Sequence, residues 1–134
     1  MINFLNDYHF DLKDFDLIVP VPLHPWRLYK RGFNQSLLLA DLISAHLGIP
    51  ISSNNLIRGH YTKNQAKISK KERWTNIQGA FKIKSSCEFV DKNILIIDDL
   101  MTTGATTSEI ARVLKGAGAQ KVCVLTPAIT MKTD

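Results

Sequence analysis

The 134-residue sequence predicts an α/β fold, a mainly parallel sheet flanked by helices, and three observations carry that prediction. Short β-branched apolar runs recur along the chain, each too continuous for a half-exposed strand. Between them lie stretches with apolar residues at helical spacing, and glycine or proline punctuates the changes of pattern. Strands alternating with helices pair in parallel, because a parallel neighbour requires a crossover, and the crossover helices then cover the sheet faces.

"DLIVPVP" (16–22), bounded by prolines, reads as a buried strand. "NQSLLLADLISAHLGIP" then reads as a helix with an apolar stripe through Leu38, Leu42, Ile43 and Leu47, stopped by Gly48 and Pro50. Asn34 and Gln35 stand at its start, either as caps or as ligand contacts. From Arg58 to Arg73 the chain turns polar and basic and reads as a flexible loop, with a short helix near "SKKERWTN". "GAFKI" suits a strand, "SSCEFVDK" a connection, and "NILII" a strand buried on both faces. Thr106 and Glu109 have capping-box spacing, so a helix is expected from about Thr106, with Ile110, Val113 and Leu114 on its apolar face. Gly116 and Gly118 close it, and "KVCVLTP" is the next strand.

The length and the 45% hydrophobic content suit one domain over residues 1–134, without internal repeat or linker. No apolar run approaches the roughly 18 residues of a membrane span. The start "MINFLNDYHFDLKDFD" carries acids where a secretory signal carries bases, so a cytoplasmic location is expected. Cys87 and Cys123, far apart in sequence, read as buried small hydrophobes without a disulfide or metal role. His24 reads as a turn histidine satisfied by backbone. A net charge of +5 favours polyanionic or phosphorylated partners, and the oligomeric state is left open.

The chemistry concentrates in "NILIIDDLMTTGATTSEI" (93–110). Asp98 and Asp99 end a predicted strand, and ligands of parallel sheets lie at the strands' carboxyl ends. The following "TTGATT" sets hydroxyls and one glycine at a strand-to-helix junction, where free backbone N–H groups and the positive helix end attract anions. Gly104 permits close backbone approach or positive φ. The lysine of a Walker loop and the GxGxxG fingerprint are both missing, which argues against nucleoside triphosphates and dinucleotides. Two acids beside a phosphate loop suit a phosphorylated ribose, since carboxylates accept hydrogen bonds from vicinal hydroxyls and hold Mg²⁺ through water.

"ILIIDDLMTTGATT" resembles the phosphoribosyl-pyrophosphate (PRPP) motif of type I phosphoribosyltransferases. "DLIVPVPLHPWRLYKRGFNQS", the R-x-x-x-T-x-x-Q set of Arg58, Thr62 and Gln65, "KERWTNIQGAF" and "GAGAQKVCVLTPAIT" resemble the ComF/ComFC (GntX-like) competence family over nearly the whole chain. The resemblance implies a type I phosphoribosyltransferase fold with a flexible basic loop over the site. It assigns Asp98 and Asp99 to the ribose hydroxyls and, indirectly, Mg²⁺. Thr102, Thr103, Gly104, Ala105 and Thr106 would take the 5-phosphate, and Arg27, Lys30 and Arg31 the pyrophosphate. Arg58, Thr62, Lys63, Gln65, Lys67, Lys70, Lys71 and Arg73 would belong to the cover or to a DNA-contacting surface.

The reaction so implied is displacement of pyrophosphate from ribose C1 through an oxocarbenium-like transition state, with no acceptor named and no catalytic residue assigned. Thr102 stands where purine-salvage relatives carry an acid, which weighs against nucleobase salvage and keeps a non-catalytic PRPP-sensing or DNA-binding module in view. Many ComF-type proteins carry an N-terminal four-cysteine zinc module; no cysteine precedes Cys87, and zinc is not predicted. The family's link to natural transformation points to single-stranded DNA and to competence-machinery proteins as partners. Segments 27–31 and 58–73 hold nine of the 17 lysines and arginines, beside Trp26, Tyr29, Phe33, Tyr61 and Trp74. Charge with stacking aromatics suits single strands, although a PRPP site needs positive charge as well.

Overall fold

The computed structural model describes residues 12–59, 69–100 and 103–127. Its centre is a three-stranded parallel sheet in the order β1 (Leu17–Pro20), β4 (Asn93–Ile97), β5 (Lys121–Leu125). Ile18 faces Leu95 in the first ladder, and Leu95 faces Cys123 in the second. One further rung, from the Val21 N–H to the Ile97 carbonyl at 2.9 Å, carries β1 to the edge where the site lies.

"NILII" becomes the middle strand because both of its faces find a partner. Ile94 and Ile96 join Leu17 and Val19 in a core closed by Ile110 and Leu114 of α4 (Ala105–Gly116). Leu95 and Ile97 join Ile18 in a second core, closed by Ala40 and Ile43 of α2 (Gln35–Leu47). Each of these buried valine, leucine and isoleucine side chains contributes roughly 1.5–3 kcal/mol, so the strand leading to Asp98 and Asp99 is firmly seated.

The helix α2 forms as expected, with Asn34 as N-cap accepting from the Ser36 N–H and Gly48 in the left-handed region at its end. Its buried stripe differs. Leu38 and Leu42 are 53% and 59% exposed, and Ser36, Ala40 and Ile43 face inward. Leucines lie on more than one side of this helix, and the phase adopted puts small residues against the sheet, allowing close approach.

At α4 the expected Thr106–Glu109 capping box is absent. Thr106 already lies inside the helix, whose N-cap is Gly104 at φ 78°. The buried Glu109 carboxylate instead accepts from the Gly79 N–H at 3.1 Å and from Arg112, whose hydrogen bond holds it below the usual carboxylate range. Gly118 turns the chain towards β5 at φ +99°, where an added Cβ would lie 3.3 Å from Val90.

A second, antiparallel ladder joins β2 (Leu56–Arg58) to β3 (Phe81–Ile83), pairing Arg58 with Phe81. Only β3 was legible as a strand. The short helix expected near "SKKERWTN" is α3 (Lys70–Ile77), capped reciprocally by Ser69 and Glu72 and anchored by the buried Ile77. The loop reading for Thr62, Lys63, Gln65 and Lys67 lies outside the described residues. Cys87 is exposed rather than buried, because it sits in the surface turn Ser86–Glu88, and Cys123 is half-buried. Among the described residues no helix is long and apolar enough to cross a membrane.

Candidate functional site

A cleft of about 230 Å³ opens at the carboxyl edge of β1 and β4. One wall is Asp98, Asp99 and Leu100, past the end of β4, with Thr106 from the first turn of α4. Facing them are Arg27 and Arg31 of α1 (Pro25–Arg31), the start of α2 from Asn34 to Ser36, and Arg58 at the end of β2.

Asp98 is 8% exposed, and its N–H extends the ladder to the Leu125 carbonyl at 3.1 Å. Burial, followed by the hydrogen bond with Asp99 and its charge, pushes the Asp98 carboxyl up to about 7, against the pull of the Leu100 and Asp99 amides. The Asp98 carboxyl is therefore partly protonated near neutral pH, and a nearby cation or a set of hydroxyl donors would favour its charged form.

In the hydroxyl loop, Gly104 takes the left-handed conformation that starts α4. The Ala105 N–H donates to Thr103 Oγ1 at 3.3 Å while its methyl enters the core, and Thr107 Oγ1 donates to the Gly104 carbonyl at 3.2 Å. Thr106 thus faces the cleft, while Ala105 and Thr107 fix the turn beneath it. Thr102 lies outside the described residues.

The opposite wall departs from expectation at two cations. Arg27 and Arg31 are one helical turn apart and share the cleft side. Lys30 precedes Arg31 by one residue and so projects about 100° away from it. It lies over the Trp26 ring, 4.7 Å from the centroid, outside the cleft lining. Arg58, expected in the flexible basic loop, is 8% exposed at the end of a strand, its guanidinium 5.5 Å from the Phe81 ring centre. Burial, and then the charge of Arg27, lower its pKa from the ordinary value. A three-residue strand has no readable period, so nothing in the sequence separated Arg58 from the basic run after it. Of that run, Lys71 is exposed on α3, which also contains Lys70 and Arg73.

Ser36, 4% exposed, is a cleft residue that sequence reasoning missed. The signal was available, since an Asn34 cap places Ser36 in the first turn of α2. Asn34 is both cap and cleft residue, and its Nδ2 also donates to the Val21 carbonyl at 3.0 Å. His24 caps α1 by accepting the Trp26 N–H on Nδ1 at 3.1 Å.

The donor set suits Mg²⁺ better than a closed protein cage. Two carboxylates converge, and among the described residues no group of three or more His, Cys, Asp or Glu could hold a metal ion. Mg²⁺ keeps several waters and commonly takes one or two carboxylates together with substrate phosphates.

The phosphoribosyl transferase domain family matches residues 34–131. Competence protein F of Haemophilus influenzae is 37% identical over 114 residues, 84% of this chain and 50% of that protein. The DNA utilization protein YhgH of Salmonella typhi is 38% identical over 109 residues, 81% of this chain and 47% of that protein. The chain thus spans about half the length of these relatives. Among solved structures, adenine phosphoribosyltransferase from Leishmania tarentolae superposes with a TM-score of 0.60 at 17% identity, over 96% of this chain and 55% of that one, a likeness of fold. The chain belongs to the phosphoribosyl transferase domain family, and the ComF/ComFC resemblance read from its sequence holds.

Proposed function

We propose that this protein binds Mg-PRPP in the cleft and serves a ComF-type role in DNA uptake during natural transformation, including the handling of single-stranded DNA. The observation carrying the PRPP reading is the juxtaposition of two carboxylates with the guanidiniums of Arg27, Arg31 and Arg58 across one cleft whose floor is a helix start. Such a cleft suits a ligand with hydroxyls at its middle and anionic groups at both ends. Asp98 and Asp99 accept hydrogen bonds from the ribose 2- and 3-hydroxyls. Thr103, Gly104 and Thr106, with Thr102 and the Ala105 backbone by resemblance, hold the 5-phosphate through hydroxyls and the positive end of α4. Arg27 and Arg31 face the pyrophosphate, where paired guanidinium hydrogen bonds stabilise charge that grows as the bond to ribose C1 breaks. When bound, Mg²⁺ neutralises the pyrophosphate, and Asp98 and Asp99 are the residues that would hold it through water.

The DNA role rests on the names of the relatives, competence protein F and DNA utilization protein, and on the basic charge. A non-catalytic module that senses PRPP is the second reading, favoured by Thr102 in place of the acid found in purine-salvage relatives. Calorimetry with Mg-PRPP tests the binding site: Asp98→Asn with Asp99→Asn is expected to abolish binding while the circular dichroism spectrum stays native. Unchanged affinity would remove the ribose assignment. Pyrophosphate release with candidate acceptors separates transfer from sensing.

A further inference from the structure

The helix α1 carries three different surfaces on seven residues and buries none of them. Arg27 and Arg31 face the PRPP cleft. Pro25 and Leu28 line a neighbouring, mainly apolar groove of about 770 Å³, together with Phe33 and Leu38. Trp26, Tyr29 and Lys30 are left on a third side, at the i, i+3 and i+4 spacing that gathers residues onto one helix face. The Trp26 and Tyr29 rings stack with centroids 6.5 Å apart and planes inclined by 19°, and Lys30 Nζ lies over Trp26. Tyr29 is 83% exposed and Trp26 48%, so this stack does little for the fold.

We propose that this outward face of α1 is a base-stacking platform for single-stranded DNA. The proposal deepens the DNA-handling reading above and rests on it. Near-parallel exposed rings offer π-faces that any base can meet, and a strand needs cations beside them for its phosphates. Lys30 supplies a cation on that face, and helix α1 contains no acid, so the face complements a polyanion. A protein partner would find its better surface in the apolar groove on the Leu28 side. Because the cleft cations point elsewhere, PRPP and a DNA strand can occupy one helix together.

The test uses the whole chain and a fluorescein-labelled oligothymidylate read by anisotropy, beside an equally long strand with abasic sites. The native protein should prefer the intact strand by on the order of tenfold. Trp26→Ala with Tyr29→Ala should lose that preference and bind the intact strand at least about tenfold more weakly, with Mg-PRPP affinity unchanged. Trp26→Phe with Tyr29→Phe keeps both ring faces and should restore the preference. If the native protein binds the strand and the alanine variant keeps its full base preference, the platform is refuted while the DNA reading stands. Phenylalanine variants as defective as alanine refute stacking in the same way. A native protein that binds neither strand overturns both the DNA reading and the platform.

Discussion

Asp98 follows a strand whose last four residues are at most 1% exposed, whereas Arg27 and Arg31 ride on a helix that buries nothing. The two walls of one cleft are therefore held by different physics. On the carboxylate side, Ala105, Ile110 and Leu114 press α4 onto the sheet, so acids and hydroxyl loop share their support with the core. On the cationic side, Arg27 and Arg31 are positioned by the His24 cap, the Gly32 cap and helix phase. Damage to the packing beneath the first wall should cost fold and site together, and loss of Arg27 and Arg31 from the second should cost the site alone.

Ile110→Ala tests the first half of that statement with the largest effect. Removing a fully buried side chain between α4 and the sheet should cost about 2–5 kcal/mol in denaturant unfolding and weaken Mg-PRPP binding with it. A loss below about 1 kcal/mol would mean that α4 is not the keel of this wall.

Asp98→Asn separates the site from the fold on the same wall. In the unfolded chain this carboxyl titrates near 3.8, and in the folded protein at about 7. The folded state thus binds the extra proton, and the stability it confers is present at low pH and lost as pH rises through 7. That distance corresponds to roughly 4 kcal/mol at most, discounted here to about 2 because Asp98 keeps hydrogen-bonded neighbours. Asp98→Asn should therefore raise the melting temperature at pH 8 and leave it nearly unchanged at pH 4. If Mg²⁺ is held by the pair as proposed, protons compete with it, and Mg-PRPP affinity of the native protein should rise with pH through 7. A flat profile in both measurements would break the assignment.

The two walls also differ in how far they could be read from sequence. "NILII" announces itself because a strand buried on both faces needs an unbroken apolar run, and the acids and hydroxyl loop follow from its end. Arg58 and Lys30 could not be placed that way. Arg58 turns inward at the end of a ladder too short to leave a pattern, and Lys30 is carried out of the cleft by one residue of helix phase. Leu38 and Leu42 mislead for a related reason, since a helix apolar on several sides does not reveal which side meets the sheet. The Thr106–Glu109 spacing is a true capping-box pattern, but Gly104 begins the helix earlier and Gly79 claims the glutamate.

Gly104→Ala should have a smaller effect on stability, about 1–2 kcal/mol, because a Cβ at φ 78° meets the following carbonyl. Denaturant unfolding checks the cost, and calorimetry with ribose 5-phosphate checks the loop. A native-like affinity would show that the left-handed turn is not what presents the amides to phosphate.

The smallest stability change is expected where the binding change is still large. Arg27→Ala with Arg31→Ala removes one half-buried and one exposed arginine from a helix that contributes no buried residue, so unfolding free energy should move by less than about 0.5 kcal/mol. It should not fall further, because the Arg27 charge opposes the buried Arg58 guanidinium and its removal relieves that repulsion. Mg-PRPP affinity should nevertheless drop by about tenfold or more, as charge-assisted contacts of roughly 1.5–3 kcal/mol are lost. Ribose 5-phosphate, which lacks the pyrophosphate, should bind the variant as it binds the native protein. Equal losses for both ligands would mean that α1 shapes the whole cleft, and the separation between a rooted wall and a surface wall would then fail.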